Sequence, residues 1–125
     1  MTWVQARAQI ITRIRVGTDV NTAGSHFRSV RKANIPIRRQ AYGYDESGFE
    51  VPIGFKTSAS VDIPMTMLQR CYETAQLPAG YSRSAFRRLY PRQEQNRACH
   101  VHVVGRILEV SGLVRFDGHV YRAVQ

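Results

Sequence analysis

The chain has 125 residues, of which 43% are hydrophobic, and such a length and composition are typical of a single compact domain over residues 1–125. Eighteen lysine and arginine residues against nine acidic ones leave a net charge of +9. This excess of positive charge indicates a polyanionic partner and excludes a strongly acidic protein. No apolar run could cross a bilayer and no signal-peptide pattern opens the chain, so we expect a cytoplasmic protein that does not bind membranes.

The basic residues are almost all arginine, 16 of the 18. Arginine binds phosphate and guanine through two parallel hydrogen bonds, which favours nucleic acid as the polyanion. A GC-rich genome explains the arginine bias equally well. It does not explain the excess of basic over acidic residues.

The N-terminal segment predicts two helices. Thr2 is a suitable N-cap for a helix from Trp3 to about Val16, because apolar residues recur on one face and Gly17 follows. Ser25 is a suitable cap for a second, shorter helix through Phe27 and Val30. Pro36 keeps this second helix from extending beyond residue 35.

The stretch from Ser25 to Arg39 carries five basic residues and no acidic one: Arg28, Arg31, Lys32, Arg38 and Arg39. A helix, a turn and a short basic helix outline a helix-turn-helix, which predicts a second contact with nucleic acid. A solvated basic surface explains the same residues equally well.

From Ile37 onward the pattern predicts strands. A hairpin is expected from residues 41–44 and 49–55 around the loop 45–48, with Pro52 placing the second strand at an edge and a third strand over residues 58–63. The aromatic residues on these strands could stack single-stranded bases, but cross-strand packing is the commoner role. They are Tyr42, Tyr44, Phe49 and Phe55.

Two further helices are predicted before the last part of the chain. Pro64 suits the first position of a helix that extends to Gln76. Ser82 caps a short helix that Pro91 terminates, and a polar connection follows to Asn96. The stretch from Arg83 to Arg97 holds five arginines and one acid, a net charge of +4 in fifteen positions.

The C-terminal part predicts a helix and a hairpin. The helix extends from Asn96 to Ser111, and Gly112 provides a left-handed C-cap. Two alternating runs, residues 113–116 and 119–124, flank Asp117-Gly118, which favours a type I′ turn. Most of this helix is expected to be buried, which leaves one narrow polar ridge for a partner. The ridge consists of Ala98, His102, Arg106 and Glu109 beside Gly105. Because glycine has no side chain, it would permit close approach of that partner.

A helix that leads directly into a hairpin in such a basic chain resembles the winged-helix members of the helix-turn-helix superfamily. The resemblance covers the C-terminal half only and rests on this pattern. It implies an α+β protein with a winged-helix-like unit over residues 63–125, made of three helices and a hairpin wing. An N-terminal helical pair and hairpin, residues 1–62, would pack against that unit.

The resemblance implies sequence-specific binding of double-stranded DNA, by a transcriptional regulator or by the recognition module of a mobile-element or defence system. Arg97, His102 and Arg106 would enter the groove. Arg83, Arg87, Arg88 and Arg92 would hold phosphates, and Arg115, His119 and Arg122 would add wing contacts. The basic stretch from Arg28 to Arg39 would extend the footprint or serve the second half-site of a homodimer.

Other functions have weaker support in the sequence. Cys99, His100, His102 and His119 do not form a convincing zinc motif, no cofactor is expected, and Cys71 and Cys99 are read as small hydrophobic residues rather than a disulfide. A nuclease built on Asp45, Glu46, Glu50 and Lys56 has the wrong spacing, so we expect no enzyme. The alternatives are an RNA-binding protein and a winged-helix scaffold that binds proteins.

Overall fold

A computed structural model describes residues 1–21, 28–39, 44–53 and 59–124, and these form a mixed α and β protein, the class that the sequence predicts. In this part of the chain, five helices combine with one three-stranded and one two-stranded antiparallel sheet. The elements are α1 (Trp3–Arg13), β1 (Lys32–Arg39), β2 (Tyr44–Pro52), β3 (Ser60–Pro64), α2 (Met65–Ala75), α3 (Arg83–Leu89), α4 (Pro91–Asn96), α5 (His100–Val110), β4 (Val114–Phe116) and β5 (Tyr121–Ala123).

Helix α1 begins at the predicted cap and ends earlier than predicted. The Thr2 hydroxyl accepts from the Gln5 amide at 3.2 Å, and the Gln5 side chain accepts from the Thr2 amide at 3.0 Å. This reciprocal capping box satisfies two amides at the start of the helix. At the other end Ile14 is already extended, with φ −97° and ψ 107°, so the helix stops three residues before Gly17.

The predicted second helix is wrong over its described residues from Arg28 onward, and the described residues of the N-terminal part contain one helix where a pair was expected. Ser29 forms an antiparallel bridge with Asp19, and the Val30 amide donates to the Thr18 carbonyl at 2.9 Å. Strand β1 follows directly. A short basic stretch with few apolar residues takes its conformation from its pairing partners, and here those partners are extended. Ser25 and Phe27 lie outside the described residues.

The predicted hairpin within residues 41–55 is also wrong. Strand β2 is continuous through residues 45–48, where a loop was expected, and pairs with β1 on one side and β3 on the other. It is thus the central strand, and Pro52 is tolerated because it is the last residue of β2. The third strand is confirmed from Ser60. Residues 41–43 and 54–58 lie outside the described residues.

Strand β2 also provides the cap of helix α2. Pro64 precedes the first helical residue and offers no capping side chain. Instead the Glu46 carboxylate accepts from the Thr66 amide and from the Thr66 hydroxyl, both at 2.9 Å. Glu46, which the sequence suggested was a turn residue, therefore joins the sheet to the helix.

Proline 91 both ends α3 and begins a helix that was not predicted. It occupies the first position of α4, where its missing amide costs no helical hydrogen bond. The predicted polar connection is therefore helical, and α5 starts at His100 rather than Asn96. Between them the backbone of Arg97 is not helical, with φ −147° and ψ 84°.

The C-terminal hairpin is confirmed, with a different turn. Gly112 ends α5 with φ +80°, as predicted. Phe116 pairs with Tyr121, so four residues form the loop, and Asp117 does not adopt the positive φ of a type I′ turn. The Asp117 carboxylate instead accepts from the amides of His119 and Val120 at 2.8 and 2.9 Å.

Helix α5 lies at the centre of the core. It packs against α1, α2, α4, β3 and β4, and Val101, Val104 and Leu108 are almost fully buried. One cluster of buried side chains extends from Ala6 in α1 to Tyr121 in β5. None of the described helices has the length and apolar character needed to cross a membrane.

Candidate nucleic-acid interface

Three arginines lie on the outer face of helix α3. The Ser82 hydroxyl accepts from the Ala85 amide at 3.4 Å and fixes where the helix starts. Ala85 and Phe86 are buried and Leu89 packs against the core, so the other four positions face outward. Those positions are occupied by Arg83, Ser84, Arg87 and Arg88, and all four are exposed.

One carboxylate from α4 holds two of these arginines together. Nε of Arg83 and Nη2 of Arg87 donate to the same oxygen of Glu94, at 2.9 and 3.3 Å. The Glu94 side chain is only 9% exposed, whereas those of Arg83 and Arg87 are 61% and 59% exposed. The hydrogen bond from Arg83 is the main cause that holds the pKa of Glu94 below its ordinary value, with Arg87 adding to it and burial opposing it. Two guanidiniums therefore converge at the surface on a single negative charge.

Two more exposed arginines lie on α4 and directly after it. Arg92 and Arg97 are both exposed, and Nη1 of Arg97 donates to the Asn96 carbonyl at 3.0 Å. We call the five side chains together the arginine surface: Arg83, Arg87, Arg88, Arg92 and Arg97. Since Glu94 is the one acidic residue between positions 83 and 97, this surface keeps an excess of positive charge.

His102 lies at the border between the arginine surface and the hairpin. It is exposed, and its Nδ1 lies 3.0 Å from the hydroxyl of Tyr121. Burial of part of the ring is the main cause that lowers the pKa of His102, and the charges of Arg28 and Arg83 lower it further. Two cationic side chains therefore lie near this histidine, which is neutral at pH 7.

Arg106 differs from the other predicted groove residues because its guanidinium is held within the protein. Its Nε donates to the Asn21 carbonyl at 2.7 Å, and its Nη1 pairs with Glu109 at 2.5 Å. The side chain is 27% exposed. Gly105, which we expected to allow a partner to approach, instead lies against the Tyr121 ring, so this close approach is made within the protein.

The predicted wing residues lie on the hairpin. Arg115 and Arg122 are opposite each other in the register, and both are exposed, as is His119. Arg122 is partly engaged, because its Nη1 donates to the Pro78 carbonyl at 2.6 Å and its Nε lies 3.4 Å from Asp117.

The N-terminal basic residues are spread along β1 and the segment before it. Arg31 and Lys32 lie 2.6 and 3.9 Å from the carboxylate of Glu50 on β2, and Arg38 and Arg39 lie at the end of β1. Arg28 is the member of this group whose charge acts on His102. The structure therefore brings Arg28 toward α5 and leaves the others on the sheet.

Phe49 cannot stack a base as part of the aromatic platform considered on the strands, because its side chain is fully buried. Tyr42 and Phe55 lie outside the described residues. Two residues that the sequence did not single out adjoin the interface: Arg70, 6.0 Å from the Tyr90 ring centre, and Phe116, exposed at the end of β4. An aromatic residue directly after Arg115 and next to the Asp117-Gly118 turn was the signal for Phe116.

The candidate metal ligands do not converge. His100 is buried, lies 3.1 Å from the Arg97 carbonyl through Nδ1 and stacks on Phe86, and burial lowers its pKa. No three histidine, cysteine or acidic side chains of the described residues are grouped as a metal ion requires. Cys71 and Cys99 are both free thiols.

Comparison of the chain with protein-family models, with curated proteins and with solved structures finds no match.

Proposed function

We propose that this protein binds double-stranded DNA, with the arginine surface of α3 and α4 against the phosphate backbone. The observation that carries the proposal is the convergence of the exposed Arg83 and Arg87 on the buried Glu94. Their remaining N–H groups face solvent, in the arrangement that suits phosphate oxygens.

The order of the elements supports the same proposal. Helices α2, α3 and α5 are followed by the β4–β5 hairpin, which is the order that the winged-helix resemblance predicts. A bridge between Tyr81 and Tyr121 ties the hairpin to the segment between α2 and α3. Helix α4 is an additional element in that order, and it carries the exposed Arg92 and the buried Glu94 that pairs with Arg83 and Arg87.

Because most of α5 is buried, few of its side chains can contact the duplex. Arg106 would have to leave both Glu109 and the Asn21 carbonyl to reach a base. We therefore assign the main contact to phosphates and restrict base contacts to Arg97, which precedes α5, and His102, in the first turn of α5. Binding of this kind is strong at low salt and discriminates only modestly between sequences.

Fluorescence anisotropy with a labelled duplex tests this assignment. Arg87→Gln and Arg88→Gln each remove one charge from the arginine surface, and we expect each to weaken binding several-fold and equally for unrelated sequences. Arg15→Gln is the control, because it makes the same change in net charge at an exposed position after α1. Equal losses from all three variants would show that net charge alone drives binding, and a wild type that does not bind any duplex would refute the proposal.

A further inference from the structure

The hairpin and α5 build a layered stack of rings that ends in solvent. The Tyr121 ring lies on the α5 backbone at Gly105, and the Phe116 ring lies on Tyr121 with their centroids 4.6 Å apart. Tyr121 is 1% exposed, whereas Phe116 is 37% exposed. The outermost layer of the stack is therefore an aromatic ring with part of its surface open.

The Phe116 ring is held in place by its neighbours. The backbone amide of Phe116 donates to Oε2 of Glu109 at 3.1 Å. The edge of the ring meets the imidazole of His102, with centroids 6.0 Å apart and planes at 85°. Because these contacts already hold the ring in one orientation, less conformational entropy is lost when a ligand stacks on it.

Arginines lie close to this stack, together with the Glu109 carboxylate that pairs with Arg106. Burial, with the charge of Glu109, raises the pKa of Tyr121 to about 12, and the charges of Arg106 and Arg28 oppose this rise. The charge of Arg83, from the arginine surface, acts on His102 beside the Phe116 ring. An exposed aromatic ring with arginines nearby suits a flat, uncharged group carried on a phosphate chain.

We propose that Phe116 is a stacking site for one nucleobase that has left its base pair, next to the duplex held by the arginine surface. This inference rests on the proposed function and adds a preference for duplexes with an unpaired base. A base stacks on an aromatic side chain through its π face, whichever base it is. The preference is therefore for an unpaired position rather than for a sequence.

The experiment compares a perfect duplex with the same duplex carrying one unpaired 2-aminopurine. We expect the wild type to bind the second about tenfold more tightly, which is the usual effect of stacking one base. The 2-aminopurine fluorescence should be quenched on binding, because the base stacks on the ring. Phe116→Leu keeps an apolar side chain and should lose the preference and the quenching while binding the perfect duplex as before.

Two variants separate stacking from a change in folding. Phe116→Trp retains an aromatic face and should keep both the preference and the quenching. Leu77→Ala alters another exposed apolar side chain, which lies just after α2, and should change neither.

The two proposals fail in different ways. If the wild type binds both duplexes with equal affinity, or if Phe116→Leu retains the preference, the stacking site is refuted and DNA binding through the arginine surface stands. If the wild type binds neither duplex, the proposed function and the stacking site are both refuted.

Discussion

Gly105 lies where α5 meets the hairpin, and its lack of a side chain allows the Tyr121 ring to rest on the helix. A methyl group at this position would overlap the ring. The Tyr121 hydroxyl in turn lies 3.0 Å from His102, so the same contact helps to orient the histidine at the edge of the candidate interface. One glycine therefore connects core packing with the geometry of the site.

Gly105→Ala should destabilise the protein. Alanine stabilises an exposed helical position by about 1 kcal/mol relative to glycine, but overpacking against the ring costs about 1 to 3 kcal/mol. We expect a net loss of about 1 kcal/mol in the free energy of unfolding, measured by urea denaturation. In a Tyr121→Leu background, where the ring is absent, the same substitution should be neutral or stabilising. A loss of equal size in both backgrounds would contradict this explanation.

At the scale of elements, the contact between β2 and α2 is the least expected feature. Glu46 accepts two hydrogen bonds from Thr66 and provides the cap that Pro64 cannot provide. A carboxylate at a helix N-terminus also interacts favourably with the helix dipole. This cap fixes the start of α2 relative to the three-stranded sheet.

Glu46→Ala should therefore lower the free energy of unfolding by about 1 kcal/mol, as the loss of an N-cap does. Glu73→Ala removes an exposed carboxylate from the opposite end of the same helix and is the matched control, with an expected change within about 0.5 kcal/mol. Thermal unfolding followed by circular dichroism would give both values. Equal effects of the two substitutions would mean that the cap makes no special contribution.

The elements that the sequence predicts well are those set by local signals. Ser82, Gly112 and the alternating residues of the hairpin specify α3, the end of α5 and the pair β4–β5 without help from distant residues. The predictions are wrong where pairing between distant segments determines the conformation. Strand β1 forms because the central strand β2 pairs with it, and a basic segment with few apolar residues carries no periodicity that would reveal this pairing.

In the candidate site, too, local signals could be predicted from the sequence and long-range contacts could not. The exposed arginines of α3 follow from the helical period, because the buried Ala85 and Phe86 define the opposite face. The engagement of Arg106 could not be predicted, since its partner Asn21 lies 85 residues away in sequence. Likewise Glu94 joins Arg83 and Arg87 only because Pro91 starts an additional helix.

At the scale of the whole molecule, the core contains hydroxyl and thiol groups that ionise only at high pH. Burial raises the pKa of the Cys71 thiol to about 12 from 9.0, and burial is also the main cause that raises the pKa of Tyr121 to about 12 from 10.0. In the unfolded chain these groups lose their protons at their ordinary pKa values. Stability is therefore fully present below pH 9 and is lost progressively as the pH rises toward 12.

Urea denaturation over this range should show the effect. Cys71 alone should lower the free energy of unfolding by about 2 kcal/mol between about pH 8 and pH 10.5. Cys71→Ala should be less stable at neutral pH, because it leaves a small cavity, and should show a shallower decline as the pH rises. A midpoint that stays constant up to pH 10.5, or equal slopes for the two proteins, would contradict the assignment.

The chain has a net charge of +9, and the basic side chains outnumber their acidic partners at the arginine surface. Glu94 pairs with Arg83 and Arg87 there and is the one acidic residue between positions 83 and 97, against five arginines. A duplex bound there would release the cations condensed on its phosphates. The affinity must then depend steeply on salt.

The salt dependence of duplex affinity tests this account most directly. If Arg83, Arg87, Arg88 and Arg92 each neutralise one phosphate, the logarithm of the association constant should fall with the logarithm of salt concentration with a slope of about −3.6. Replacing Arg87, Arg88 and Arg92 together by glutamine should reduce the slope to about −0.9, whereas replacing Arg7, Arg13 and Arg15 on the α1 side should leave it unchanged. A slope near zero for the wild type, or the same reduction from both triple variants, would contradict binding through the arginine surface.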